Sequence, residues 1–306
     1  MKKEILFELK SPYRDSFKIY GYRFGEGEHT VAIVGAIRGD EIQQQFICSQ
    51  LVKNLIDLEK NNLILPNHQI LVIPSVNPFS MNIHKRFWAM DNTDINRMFP
   101  GYDKGETTQR IAAALFEQVK GYQYGIQFPS FYIRGEFIPH IRILDTGHQD
   151  TESAKCFGLP YIMLRKPSSF DTTLLNYNWQ IWETQAYSIY SSATEQIDKD
   201  SAKLAWVATL RFFAKKGIIQ YSGHSGFISS VIDEESMANV VSENGGFFYP
   251  KVTVGQDVRK GDLLAKILDP YDGSVLSELT APVSGVVFFA HKQPIVSQNT
   301  MLYRVL

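Results

Sequence analysis

The sequence predicts a doubly wound α/β domain followed by a small all-β domain, and three observations carry that expectation. Val31–Ile37 reads VAIVGAI, a β-branched apolar run suited to a strand buried on both faces of a parallel sheet. Ile42, Phe46, Ile47, Leu51, Val52, Leu55 and Ile56 then recur at three- and four-residue steps until Asn61-Asn62, and a second apolar strand follows at Ile70–Pro74. Strand, helix, strand in that order implies a right-handed crossover. The third observation is a change of character: Ser222–Leu306 consists of short apolar runs separated by Gly, Pro, Asp and Asn, with no helical period.

The remaining elements follow in order. A helix is expected over Thr107–Lys120, capped by Thr107 or Thr108, with Ile111, Leu115, Phe116 and Val119 inward and Gly121 as its stop. Strands are expected at Ile141–Leu144, Pro160–Leu164 and Ala186–Tyr190, and a long helix over Lys199–Lys216, ended by Gly217. This places the α/β domain at 1–220 and the β domain at 221–306. Within the latter, Gly245–Leu268 and Ser284–Leu306 resemble each other, which suggests two similar halves wrapped into one sandwich.

Composition narrows the function. Hydrophobic residues make up 44% and charged residues 21%, the balance of a folded globular chain. Lys plus Arg number 31 against 32 Asp plus Glu, so no basic excess attracts nucleic acid or anionic lipid. Two cysteines, Cys48 and Cys156, make no disulfide framework, and no apolar run has the length of a signal core or a membrane span. A cytoplasmic protein with neither nucleic-acid nor membrane partners is the expectation. No G-x-S-x-G, Walker A or G-x-G-x-x-G motif occurs.

Chemistry is expected where the first strand opens into its helix, at Gly35-Ala-Ile-Arg38-Gly-Asp-Glu41, because open α/β folds bind ligands at the carboxyl edge of the sheet. A second polar stretch holds Asn77-Pro78, Arg86, Trp88 and Asp94-Ile-Asn96-Arg97-Met-Phe-Pro-Gly101, side chains able to grip a carboxylate. Asn96 and Arg97 serve equally well to brace a loop, and Arg86 to stack on an aromatic ring.

A strand ending in G-x-H-G-[DN]-E, then N-P, then D-x-N-R-x-F-P-G and a final β domain resembles the succinylglutamate desuccinylase/aspartoacylase family of zinc carboxypeptidase-like amide hydrolases. The resemblance implies a mixed sheet of the zinc carboxypeptidase type. It also implies a zinc held by two histidines and a glutamate, with an open position for water, and a further glutamate moving the proton. Glu41 matches the glutamate ligand, and Asn96 and Arg97 match the residues that hold the substrate carboxylate. Arg38 replaces the first histidine, Pro129 stands at the third ligand, and Tyr190 stands at the catalytic glutamate. These replacements argue against zinc. A guanidinium has no lone pair for a metal, and its charge is expected to pair with Glu41 instead.

Two readings follow. One is a hydrolase of small carboxylate-bearing amides or esters. In it Glu41 and Tyr190 are the catalytic candidates, Arg38, Arg86, Asn96 and Arg97 bind substrate, and Glu41, His140 and His148 form a rebuilt metal site. The other is a non-catalytic protein that binds a small anionic ligand in the former active site. In that case His140 is a buried strand residue and His148 a solvated loop residue. The β domain is a candidate interface for a homo-oligomer. In the same domain Val254-Gly255 and Gly261-Asp262 resemble the hammerhead of biotinyl and lipoyl carriers, but the turn Asp269-Pro-Tyr-Asp-Gly273 has no lysine.

Overall fold

The computed structural model describes residues 1–11, 15–192 and 194–306. In chain order the elements of its first half are β1 (Lys2–Leu9), β2 (Phe17–Phe24), β3 (Gly27–Ala36), α1 (Ile42–Lys60), β4 (Asn67–Ser75), α2 (Pro78–Asn82), α3 (Thr107–Val119), β5 (Tyr124–Gln127), β6 (Gly135–Phe137) and β7 (His140–Leu144). Then come α4 (Thr151–Ala154), β8 (Tyr161–Arg165), α5 (Leu175–Ile181), β9 (Gln185–Tyr190), α6 (Lys199–Lys215), β10 (Ser230–Asp233) and β11 (Ala238–Val241). The chain ends with β12 (Gly246–Pro250), β13 (Asp257–Val258), β14 (Leu263–Leu268), β15 (Val275–Thr280), β16 (Gly285–His291), β17 (Ile295–Val296) and β18 (Met301–Val305).

Nine strands form one mixed sheet in the order β1-β2-β4-β3-β5-β9-β7-β8-β10. Its centre, β4-β3-β5-β9, is parallel, and β3 is buried from Thr30 to Ala36 because helices cover both faces. On one face α1 and α6 pack Leu51, Leu55, Ala205 and Phe212 against Ile33, Ile126 and Tyr187. On the other, Ile111, Leu115 and Phe116 of α3 and Trp179 of α5 pack against Ala32, Val34 and Ala186. This is the doubly wound mixed sheet that the sequence predicts.

Several elements escaped the sequence reading, the central strand β5 among them. The hairpin β1–β2 adds two antiparallel strands to the sheet edge. The helix α5 is hidden because its face is lined by Asn176, Asn178 and Gln180, all buried although polar. The cap of α3 also differs: Glu106, not Thr107 or Thr108, is the N-cap, in a reciprocal box with Gln109.

The chain divides into two compact units, 1–130 with 139–231, and 131–138 with 232–306. The sequence boundary at 220/221 lies just after α6. The structural division falls at 231/232, because Ser230 still pairs with Pro160 beside β8, and it gives 131–138 to the second unit because β6 pairs with β16. That unit has a sheet β15-β14-β12-β17 and a sheet β11-β18-β16-β13 with β6, closed around Leu264, Ile267, Val287, Leu302 and Tyr303. The two stretches that resemble each other in sequence form the antiparallel pairs β12–β14 and β16–β18. Tyr271, 99% exposed, marks the tip where a carrier would present its lysine.

Candidate active site

β3 ends at Ala36, and five residues later Glu41 caps α1 without using its side chain for the cap. The carboxylate turns back instead. Its Oε2 accepts from the backbone N–H groups of Ile37 (2.9 Å) and Arg38 (3.0 Å). Its Oε1 accepts from the N–H (3.1 Å) and hydroxyl (2.6 Å) of Ser130 and from Arg38 Nη1 (3.3 Å). Ser130 reaches Glu41 because β5 runs parallel beside β3, so the residues just past both strand ends lie together. Gly39 lets the loop close: an added Cβ would stand 2.2 Å from the Lys85 carbonyl oxygen.

The expected ion pair of Arg38 with Glu41 is present, and Arg38 has a stronger partner in Asp94. Arg38 Nε lies 3.2 and 3.1 Å from the two Asp94 oxygens, and Nη2 lies 2.8 Å from Oδ2, the side-on arrangement of a bidentate pair. Asp94 Oδ1 also accepts from the N–H of Asn96 (3.0 Å), which fixes the 3-10 turn Ile95–Arg97 to the same cluster. Burial opposes the charge on Arg38, but the carboxylates of Glu41 and then Asp94 outweigh it and hold its pKa above the ordinary arginine range. Ser130 joins this pair to another. Its hydroxyl donates to Glu41 and accepts from Arg86 Nη2 (3.1 Å), while Arg86 Nη1 meets Asp40 Oδ2 at 2.7 Å.

A neutral amide chain continues from here. Asn96 Oδ1 accepts from Gln127 Nε2 (3.4 Å), and Asn176 Nδ2 donates to Gln127 Oε1 (2.9 Å) and Ser188 Oγ (2.6 Å). Arg97 points elsewhere: it is 37% exposed, donates to the Phe170 carbonyl and lies 3.8 Å from Asp171.

The metal trio proposed from sequence is corrected here. Among the described residues no three His, Cys, Asp or Glu side chains converge to hold a metal, so Glu41, His140 and His148 are not brought together. Glu41 has both oxygens engaged by the donors above. His140 is fully buried at the start of β7, stacked on Tyr190 with ring centroids 5.1 Å apart, and His148 is exposed in the loop after β7. Tyr190 stands in a second cluster, where Arg142 lies over its ring at 4.5 Å and Nη1 donates to its hydroxyl at 3.3 Å. The zinc implied by the resemblance does not fit these residues. Arg38 and Pro129 offer no donor lone pair, and Glu41 has no oxygen free of hydrogen bonds.

Asp40, Asp94, Ser130, Gln127, Asn176 and Ser188 were not singled out as site residues from sequence. Asp94 had a signal, as a carboxylate inside the D-x-N-R motif. Ser130 had none, since only the pairing of β5 with β3 brings it to Glu41 across 89 positions.

The model of the succinylglutamate desuccinylase/aspartoacylase catalytic domain matches residues 28–173. The match and the similar proteins below all indicate that family. The Nα-acetyl-L-2,4-diaminobutyric acid deacetylase of Halomonas elongata is 23% identical over 268 residues, 80% of this chain and 72% of that one. A succinylglutamate desuccinylase from Silicibacter sp. TM1040 shares the fold with a TM-score of 0.84 at 20% identity, covering 99% of this chain and 94% of that one. The product-bound ectoine utilisation protein EutE (DoeB) of Ruegeria pomeroyi does so with a TM-score of 0.80 at 19% identity, covering 95% and 89%. These names describe hydrolases of acylated amino acids, the class of protein this chain is similar to. No helix among the described residues is long and apolar enough to cross a membrane.

Proposed function

We propose that this protein recognises a small carboxylate-bearing acylated amino acid at the carboxyl edge of β3 and β5, without the zinc that the family resemblance implies and without turnover. The observation that carries the reading is the state of Glu41. Its side chain is 1% exposed and both oxygens accept hydrogen bonds, two from backbone N–H groups of its own turn and the rest from Ser130 and Arg38. A carboxylate so enclosed neither ligates a metal nor takes a proton from water. The D-x-N-R turn holds Asn96 buried against Gln127 and leaves Arg97, next in the chain, as a partly exposed cation for the ligand carboxylate. The substrates named for the relatives supply the chemistry of the ligand, an amide joining an acyl group to an amino acid.

A second reading, slow hydrolysis, is favoured by one observation. Asp40 Oδ1 is buried and accepts no hydrogen bond among the described residues, while Oδ2 is held by Arg86, so this carboxylate retains a lone pair for a proton. Calorimetry with N-acetyl-L-aspartate and N-succinyl-L-glutamate, paired with an amine-release assay in the presence and absence of zinc, separates the readings. Binding without amine release supports recognition alone. Amine release that disappears in Asp40→Asn establishes the second reading, and no binding of either compound by the wild type sinks both.

A further inference from the structure

Arg38 is only partly used by its protein partners. A guanidinium carries five N–H groups, one on Nε and two on each terminal nitrogen. Here the Nε and Nη2 edge faces Asp94, and Nη1 makes one contact, to Glu41. Among the described residues, one N–H on Nη1 and one on Nη2 are left over. The carboxylates of Glu41 and Asp94 hold the plane of the group from two directions, so these two donors are fixed before any ligand arrives.

The neighbourhood decides what they would meet. The cluster holds two guanidinium groups, Arg38 and Arg86, against three carboxyl groups, Asp40, Glu41 and Asp94. Its formal charge is negative, which disfavours a second anion at Arg38 and leaves a neutral carbonyl oxygen as the fitting acceptor. The segments gathered around Arg38 are also those where the family resemblance puts metal ligands: Arg38 itself, Glu41, and Pro129 next to Ser130.

We propose that Arg38 is the resident cation of this site in place of a metal, and that its two remaining N–H groups bind the acyl carbonyl oxygen of the ligand amide. The proposal rests on the reading of the site as one for acylated amino acids. Arg97 holds the ligand carboxylate while Arg38 holds the carbonyl, a division of labour that requires both groups on one small molecule.

Isotope-edited infrared spectroscopy of N-([1-13C]acetyl)-L-aspartate bound to the full chain tests this directly. The labelled carbonyl band is expected to move to lower wavenumber on binding to the wild type. In Arg38→Lys, whose ammonium cannot face Asp94 side-on and donate a fork as well, the shift should shrink and affinity fall roughly tenfold. A bound probe with an unshifted band overturns the proposal, as does an equal shift in Arg38→Lys. The wild-type band needs no variant, so the test survives if Arg38→Lys fails to fold. Calorimetric failure of the wild type to bind the probe or N-succinyl-L-glutamate instead sinks the recognition reading, and the proposal with it.

Discussion

The hydroxyl of Ser130 lies 2.6 Å from Oε1 of Glu41 and accepts in turn from Arg86 at 3.1 Å, so one side chain couples two arginine–carboxylate pairs. Removing it in Ser130→Ala leaves a buried carboxylate oxygen with one donor fewer. Stability should fall by about 1–3 kcal/mol, read from urea unfolding. An unchanged midpoint would show that the hydroxyl merely fills space.

Arg38→Met removes the partner of two carboxylates, of which Glu41 is almost fully buried. Breaking such a pair from one side costs about 3–5 kcal/mol, so the unfolding midpoint should drop sharply. Arg38→His should fold better than Arg38→Met yet bind no zinc by plasma mass spectrometry, since the Glu41 oxygens stay hydrogen-bonded and Pro129 adds no donor. About one zinc per chain in Arg38→His would overturn this.

Arg97 is more than a third exposed, and its protein contacts are one carbonyl and a carboxylate 3.8 Å away. Arg97→Ala should leave the melting temperature within a degree or two of wild type, because exposed ion pairs contribute only about 0–1 kcal/mol. Affinity for N-succinyl-L-glutamate in calorimetry should fall at least roughly tenfold. Unaltered affinity removes Arg97 from the ligand's surroundings.

His291, at the end of β16, is buried edge-on against Phe248, and neither ring nitrogen has a hydrogen-bond partner among the described residues. Burial lowers its pKa below the ordinary 6.5. The unfolded chain therefore takes up the proton first, so stability is present above about pH 6.5 and is lost as pH falls toward the lowered value. Hydrogen-exchange protection factors of β16 and β18 in the full chain, corrected for the intrinsic rate, should fall between pH 7 and pH 5, and His291→Phe should flatten that dependence.

Much of this was legible in the chain. The β-branched run at Val31–Ile37 and the helical spacing that follows it dictate a buried strand and a covering helix, and the structure has both as β3 and α1. Arg38 and Glu41, three residues apart, were readable as an ion pair for the same local reason. Contacts made by topology were not. Asp94 comes to Arg38 from 56 positions away and Ser130 to Glu41 from 89, and no spacing rule reaches so far. Of the two readings of the histidines, the structural one holds and the metal one fails: His140, buried in β7, stacks on Tyr190, and His148 is exposed in a loop. α5 was missed because its buried face is written in amides that donate to Gln127 and to neighbouring backbone carbonyls.

The short strand β6 has a consequence for how the molecule is made. The chain leaves the first unit after Ser130, lends Phe131–Ile138 to the second, returns, and crosses again only after Val231. During synthesis β6 therefore emerges long before β16, the strand it must pair with. A ribosome stalled near residue 231 would hold a nearly finished first unit with Phe137 still lacking its aromatic neighbours Phe288 and Phe289. The two units thus cannot be inherited or exchanged as beads on a string. Three crossings stitch them together, and a gene fusion cut between them would leave a loose thread on each side.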